Sequence, residues 1–586
     1  MARKKHASSM NTKVALLIGI SLAGLASAEA QTNFAKITTG RIVTDRGNYV
    51  YTAWGDFNQH GYLDLFVAND QGANAFYLNN GDGTFTAVTQ GDPVQDNLVD
   101  HIGAAAGDYD NDGKLDLAVS GGIAVPSGLP TVLYHGNGDG TFSQASGGAL
   151  ANQLVHPGPC AWADYDHDGF LDLFVADHGY LNAGARNRLY HNNGDGTFTQ
   201  ITSGPIVTDI ADGFDCLWAD YDNDGFDDLL VCNLGPSATG SATNFLYHSN
   251  GDGTFTRVTN AAVHISTDTW SDGSPGGAWG DYNNDGFQDL FVAGNDGTSD
   301  RLYHNNGDGT FALATTIVRP AGTASFGGSW GDYDNDGYLD LLIRTGGGNN
   351  RLYHNNGDGT FTAVNQGPIV AESFSGYSCY AANWVDYDND GFLDLFVTRH
   401  ADSGSAASNF LYHNTGNSNG WLEVKLIGTA SNRSGIGAKV RLYATIGGKA
   451  FWQMREVRNG GTCGGGLVSH FGLGDATNVD TLRIEWPSGI VQTFSNVAPK
   501  QILPVVEDQV PGAVHAPQFA GVSRATNGAV NVTVSGDTGL LYVFEASTDL
   551  QNWTKVGVRS NATGTVAFMD ANAAHYVSRF YRVSVP

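Results

Sequence analysis

Carboxylates recur in this chain at a spacing suited to holding a cation. In DYDNDGFLD, Asp386 to Asp394, side-chain oxygens stand at positions 1, 3, 5 and 9, with a glycine at position 6. Calcium takes six to eight oxygen ligands at about 2.3 to 2.6 Å, and short loops supply them from alternate residues together with a backbone carbonyl. Glycine at position 6 permits the left-handed turn that wraps a chain round an ion, and position 7 is placed to offer its carbonyl while its ring packs into the fold. The loop lacks a Glu at position 12 and enters the strand-forming LDLF instead of a helix, which argues against an EF-hand. Solvated acidic turns are the plainer alternative, since Asp and Asn favour turns. Four carboxylates within nine residues repel one another, however, and favour a counterion. Magnesium suits the pattern less well, because it prefers a rigid octahedron and keeps its waters.

The pattern occurs seven times, at starts separated by 52, 56, 56, 61, 51 and 54 residues. The candidate ligands are Asp56, Asn58 and Asp64; Asp108, Asp110, Asp112 and Asp116; Asp164, Asp166, Asp168 and Asp172; Asp220, Asp222, Asp224 and Asp228. They continue with Asp281, Asn283, Asp285 and Asp289; Asp332, Asp334, Asp336 and Asp340; and Asp386, Asp388, Asp390 and Asp394. Up to seven Ca2+ ions are expected. The first loop departs from the pattern, with Asn58 at position 3 and His60 at position 5. Imidazole is a poor ligand for a hard ion, so a weak, empty or water-completed site is expected there. Asn283 in the fifth loop is a smaller loss.

Each loop belongs to a larger unit. A strand such as CAWA enters it, LDLFVA leaves it, RLYHN follows, and TFTQIT returns after a GDG turn. Strand-forming runs bounded by Gly, Asn and Asp clusters predict a four-stranded antiparallel sheet. Such sheets repeated radially make a β-propeller. The seventh unit ends at NFLYHNTG without its fourth strand, and NFAKITTGRIVTD at the N-terminus matches TFTQITSGPIVTD in the third. The first strand of the mature chain is therefore expected to complete the last blade. The fold class is all-β: a seven-bladed β-propeller followed by two small β domains.

These motifs resemble the FG-GAP or VCBS repeats of integrin-type β-propellers. That resemblance implies calcium bracing each blade and ligands docking on loops at one face of the disc. From Trp421 the periodicity changes, and REVRNGG, HFGLGDA and IEWPSG resemble an ASPIC/UnbV domain. The combination is similar to the cartilage acidic protein family. The tail, with YVFEASTDLQNWTKV, resembles a fibronectin-like β-sandwich module. The expected divisions are a signal peptide at 1–30, the propeller at 31–416, the ASPIC/UnbV-like domain at 417–508 and the terminal module at 515–586.

Arg3, Lys4 and Lys5 precede the apolar run Val14 to Ala26 and small residues at Ala28 and Ala30, the pattern of a secretory signal. No later segment is apolar for a membrane span's length. The formal charge of -29 argues against nucleic acid or an anionic membrane as partner. An extracellular protein or glycan is the expected partner; nothing specifies an oligomeric state. Five cysteines are too few for a disulfide scaffold, and Cys216 and Cys232, flanking the fourth loop, are read either as a cross-strand pair or as two buried thiols. His135, His191, His248, His304, His354 and His413 recur at one equivalent place, which favours packing or turn formation, and the repeated tryptophans, such as Trp162 and Trp330, read as blade core. His156, His178, Arg344, Arg399 and His400 break the repeat but have no spacing that specifies a catalytic set. The leading reading is a non-enzymatic binding protein. The alternative is a polysaccharide lyase with such residues gathered at one mouth of the ring.

Overall fold

The computed structural model describes residues 33–584 except 96–99, 123–128, 146–147, 149, 151–156, 179–184, 211, 234–243, 260–274, 295–298, 319–322, 402–405, 461–465, 509–517, 527, 536–540, 549–552, 561–564 and 577. The expectations for residues 1–30, His156 and Cys463 fall outside the described residues.

Seven of the described sheets carry an acidic loop between their first two strands. In the first, Tyr49–Gly55 runs into the loop, Asp64–Asn69 leaves it, and Ala75–Asn79 and Phe85–Val88 follow, antiparallel and in chain order. The order repeats in the sheets that begin at His101, Pro157, Gly213, Gly277 and Ala324. The last combines Ala382–Val385, Asp394–Val397 and Phe410–Asn414 with Phe34–Ile37 from the other end of the chain, Phe34 standing opposite Asn414. The N-terminal strand thus supplies the missing fourth strand.

Aromatic residues join each sheet to the next. Typically a tyrosine at loop position 2 meets a tryptophan and a phenylalanine of the following sheet, Tyr282 lying 6.1 Å from Trp330 and 5.6 Å from Phe361; at the first junction Phe57 meets Phe142 instead. Trp330 Nε1 donates to the carbonyl of Ala278 in the preceding sheet at 3.3 Å. Such approach needs glycine in the facing strand, since a Cβ on Gly280 or Gly331 would lie 2.7 or 2.6 Å from the next indole. The tryptophans are therefore core between sheets. At the chain's closure Phe34 takes the phenylalanine position, 6.0 Å from Tyr333 and 5.9 Å from Trp384. The seventh sheet also meets the first, where Thr52 Oγ1 bonds Asn383 Oδ1 at 2.6 Å and Trp54 lies against Phe396.

The segment from Gly420 reads as a separate module in sequence, yet it packs into the same compact unit as the repeats, Met1–Glu507. It contains a three-stranded sheet of Gly420–Ile427, Val468–Gly474 and Ile502–Val506. A four-stranded sheet of Lys439–Ile446, Lys449–Glu456, Val479–Glu485 and Val491–Val497 accompanies it. Asp508–Pro586 forms a second unit, with two three-stranded sheets around Val532, Tyr542, Phe544 and Phe568.

The disulfide alternative fails on strand parity. Cys216 stands opposite Val231 and Cys232 opposite Asp215, so the two side chains leave opposite faces of their sheet and enter different cores. Cys160, Cys216, Cys232 and Cys379 are buried thiols.

Phe34 tests the closure. Phe34→Ala is expected to lower the melting midpoint about as much as Phe198→Ala at the equivalent place in the third sheet, each removing about 3 kcal/mol of packing. A midpoint within a degree of wild type would show that the N-terminal strand does not close the fold.

Candidate metal centre

Each acidic loop is coiled by two left-handed residues. Position 4 has φ between 57° and 61°, and the glycine at position 6 has φ between 85° and 97°. In the seventh loop Asp386 Oδ1 accepts the Asp390 N–H at 3.1 Å and its Oδ2 accepts the Gly391 N–H at 2.7 Å. Asp390 Oδ1 accepts the Phe392 N–H at 2.9 Å. Asp394 clips the loop to its sheet, Oδ2 taking the Tyr387 N–H and Oδ1 the Asn414 N–H at 2.7 Å. In six loops position 7 lays its ring over the glycine of the neighbouring turn, as Phe392 does at Gly416, and in the second the Lys114 stem lies over Gly138.

Position 4 ties the loops to one another. The side-chain amides of Gln59, Asn111, Asn223, Asn284, Asn335 and Asn389 each donate to the position-6 carbonyl of the next loop, at 2.8 to 3.0 Å. In the third loop His167 instead stacks on Phe226 at 4.6 Å.

The recurring histidines do more than pack. His413 Nδ1 lies 3.4 Å from Asp388 Oδ2 and 3.2 Å from Asp394 Oδ1. His135, His191, His248 and His354 reach positions 3 and 9 of their own loops in the same way, at 3.1 to 3.3 Å. His304 lies 3.1 Å from Asp289, and beside it Asn283 directs its amide nitrogen to the ring at 3.0 Å. In the first loop Leu78 holds the histidine's place. There His60 turns its own ring into the space, with Nε2 2.9 Å from the Asn79 carbonyl and Nδ1 3.5 Å from Asp56. Of the packing or turn role expected for these histidines, the contact is with the turn: the third strand brings each ring back against the acidic loop.

Burial and like charge dominate the electrostatics. Burial, reinforced by neighbouring aspartates, pushes Asp116 and Asp289 up to about 9 and Asp228 to about 8. His191 and His248 are raised to about 9 by their bonds to the position-9 carboxylates. Without another cation, burial favours the protonated form of these position-9 carboxylates. The donor set fits a metal: Asp110, Asp112 and His135, or Asp334, Asp340 and His354, bring ligand atoms within 4.8 Å of one another. Asp164 Oδ1 and Asp388 Oδ1 are buried without a hydrogen bond. Carboxylate oxygens predominate, which suits a hard cation.

Segment 420–507 covers this face of the ring. Lys439 Nζ lies 2.5 Å from Asp220 Oδ2, and Arg458 bonds Asp227 at 2.7 Å and Glu456 at 3.1 Å. Arg441 reaches the Gly286 carbonyl, His470 the Gly391 carbonyl, and Arg433 N–H donates to Asn111. A cavity of about 290 Å³ remains between this segment and the inner strands. At the opposite mouth Tyr51, Phe214, Phe326 and Tyr380 fill the ring, with Tyr51 Oη donating to the Phe214 carbonyl. Of the residues that break the repeat, His178 faces Asp212, His400 bonds Asp70 at 2.7 Å, and Arg344 donates to the Tyr380 carbonyl. Arg399 lies apart, over Tyr377 and Phe410. No helix of the described residues is long and apolar enough to cross a membrane.

The profile of the FG-GAP-like repeat family matches residues 56–119, 164–231, 237–292, 281–343 and 332–397, together half of the chain, and that of the ASPIC and UnbV family matches 428–511. Neither is an enzyme family. Cartilage acidic protein 1 of Homo sapiens is 28% identical over 214 residues, 35% of this chain and 30% of that protein. The Xenopus tropicalis protein of that name is 26% identical over 214 residues, 35% and 31% of the two chains. The matched region therefore spans about a third of these relatives. Among solved structures, an Agrocybe aegerita lectin that recognises non-reducing terminal N-acetylglucosamine aligns with a TM-score of 0.39 and 20% identity, covering 59% of this chain and 82% of the lectin. The Aleuria aurantia lectin, a six-bladed β-propeller, aligns with a TM-score of 0.33 and 11% identity, covering 62% and 96%. On the strength of its repeats, the chain belongs to the FG-GAP-like repeat family and carries an ASPIC and UnbV domain behind them.

Proposed function

We propose that this protein is a secreted, seven-bladed propeller in which calcium held by the acidic loops braces the ring, and that it binds an extracellular protein or glycan. The observation that carries the reading is the repeated convergence of buried carboxylates, some with oxygens left unpaired, in loops of one shape. Positions 1, 3 and 5 of each loop, with the position-9 carboxylate behind them, would hold the ion. The signal at 1–30, the propeller at 31–416, the domain at 417–508 and the module at 515–586 are the working divisions. Because segment 420–507 lies over the acidic loops, the opposite face and the rim of the disc are left for a macromolecule. A lyase is the weaker reading: His178, His400 and Arg344 meet Phe214 and Tyr380 at one mouth of the ring, but those aromatics fill it, and Arg399 turns instead to Tyr377 and Phe410.

Chelation should lower the melting midpoint, and calcium should restore it. At free calcium a hundredfold above Kd, each site adds about 2.7 kcal/mol, so several sites shift the midpoint by more than about 5 °C. An unchanged curve after verified metal removal would sink the calcium reading.

The stripped protein should also lose stability as pH rises. Asp116 and His191, both raised to about 9, bind protons more tightly folded than unfolded. Their contributions are fully present below the unfolded values of 3.8 and 6.5 and are lost as pH climbs through 9. Melting in chelator from about pH 5 to pH 9 is therefore expected to show a falling midpoint, and saturating calcium to flatten the fall. A midpoint that rises in chelator over this range contradicts the assignment.

Partner class is tested on arrays of extracellular proteins and glycans, probed with and without calcium. Binding that needs calcium is expected; turnover of a polysaccharide without stable binding would favour the enzyme.

A further inference from the structure

Segment 420–507 meets the acidic loops mainly with positive groups. Lys425 Nζ lies 3.4 Å from Asp56 in the first loop and Lys439 Nζ 2.5 Å from Asp220 in the fourth. Half-buried Arg455 is the positive charge acting on Asp281 and Asp332 in the fifth and sixth. The seventh loop is different. Strand Gly420–Ile427 runs across it, and alternate residues share one face. On that face Trp421 packs so closely on Gly391 that a Cβ there would lie 1.8 Å from the indole, and Lys425 reaches the first loop. Between them, on the same face, stands Glu423.

Glu423 is 4% exposed, and among the described residues no donor or basic group pairs with its carboxylate. It lines the same cavity as Asp386. His470, paired opposite Glu423 on the neighbouring strand, sets its ring 3.2 Å from the Gly391 carbonyl, which places this face of the strand on the seventh loop, where the charges of Asp390 and Asp394 act on Glu423 and that of Glu423 acts on Asp386. A buried anion directed at a buried anionic loop, where neighbouring loops receive Lys or Arg, leaves a gap that a cation fills.

We propose that Glu423 shares the cation of the seventh loop with Asp386, so that this ion joins segment 420–507 to the ring. The proposal rests on the reading that the loops hold calcium. Glu456 also reaches the fourth loop but is paired there with Lys439 and Arg458, whereas the unpaired Glu423 adds charge and a ligand to the seventh, which makes that site the tightest of the set.

The test uses the full chain and its Glu423→Gln and Glu423→Lys variants, with calcium binding followed by calorimetric titration and melting followed in calcium and in chelator. Glu423→Gln is expected to weaken one site by about tenfold or more, to melt lower than wild type in calcium, and to match or exceed it in chelator, where repulsion is relieved. Glu423→Lys is expected to bind one ion fewer and to keep its midpoint in chelator, the ammonium standing where the ion stood. Unchanged calcium binding by Glu423→Gln, or an equal midpoint shift in both conditions, overturns the proposal; the pair then shares a proton. Wild-type protein that binds no calcium overturns the underlying reading instead.

Discussion

Negative charge gathered on one face of a ring has to be neutralised, and most of the architecture on that face answers this need. The backbone answers first: Asp394 takes two N–H groups and Asp386 two more, so each loop's fold is written in hydrogen bonds to its own carboxylates. Histidine answers next, with His413 set between positions 3 and 9. Lys439 and Arg458 from segment 420–507 add a third layer. What these groups leave uncompensated is the charge a bound cation would meet.

Much of this was legible because repetition multiplies weak signals. The Asp and Gly spacing marks the loops, and the match of Asn33–Asp45 to the third unit foretells the strand that pairs with Phe410–Asn414. The histidines were half legible for the same reason: six copies at one place point to packing or a turn without naming the acidic loop as partner. The chain held a clue to their role. The one unit with Leu78 in place of that histidine is the one whose loop carries His60. The ring is supplied either way, from the strand or from the loop, which packing alone does not require.

The covering segment was less legible because its cations are dispersed. Lys425, Lys439 and Arg455 lie on different strands and Arg458 just beyond the last of them, and only the folded sheets bring them to one surface. The sequence change at Trp421 is real, yet it marks a change of strand pattern rather than a break in packing. Parity explains the cysteines as well. Equal spacing from a loop does not ensure facing side chains when the loop's last aspartate, Asp228, already pairs with Ala219 and so sets Cys216 opposite Val231.

The amides at position 4 decide how the loops behave together. Each takes its direction from a left-handed residue inside one loop and ends on the carbonyl of the glycine that turns the next. A loop that relaxed would move both groups and so disturb its neighbours on either side. The bonds run from the first loop through the second to the third, and from the fourth round to the first again; only between the third and fourth does His167 stack on Phe226 instead. Stacking resists separation but tolerates sliding more than a directed hydrogen bond does. The circle is therefore least constrained at that junction, although Arg458 and Lys439 from the covering segment grip the fourth loop beside it.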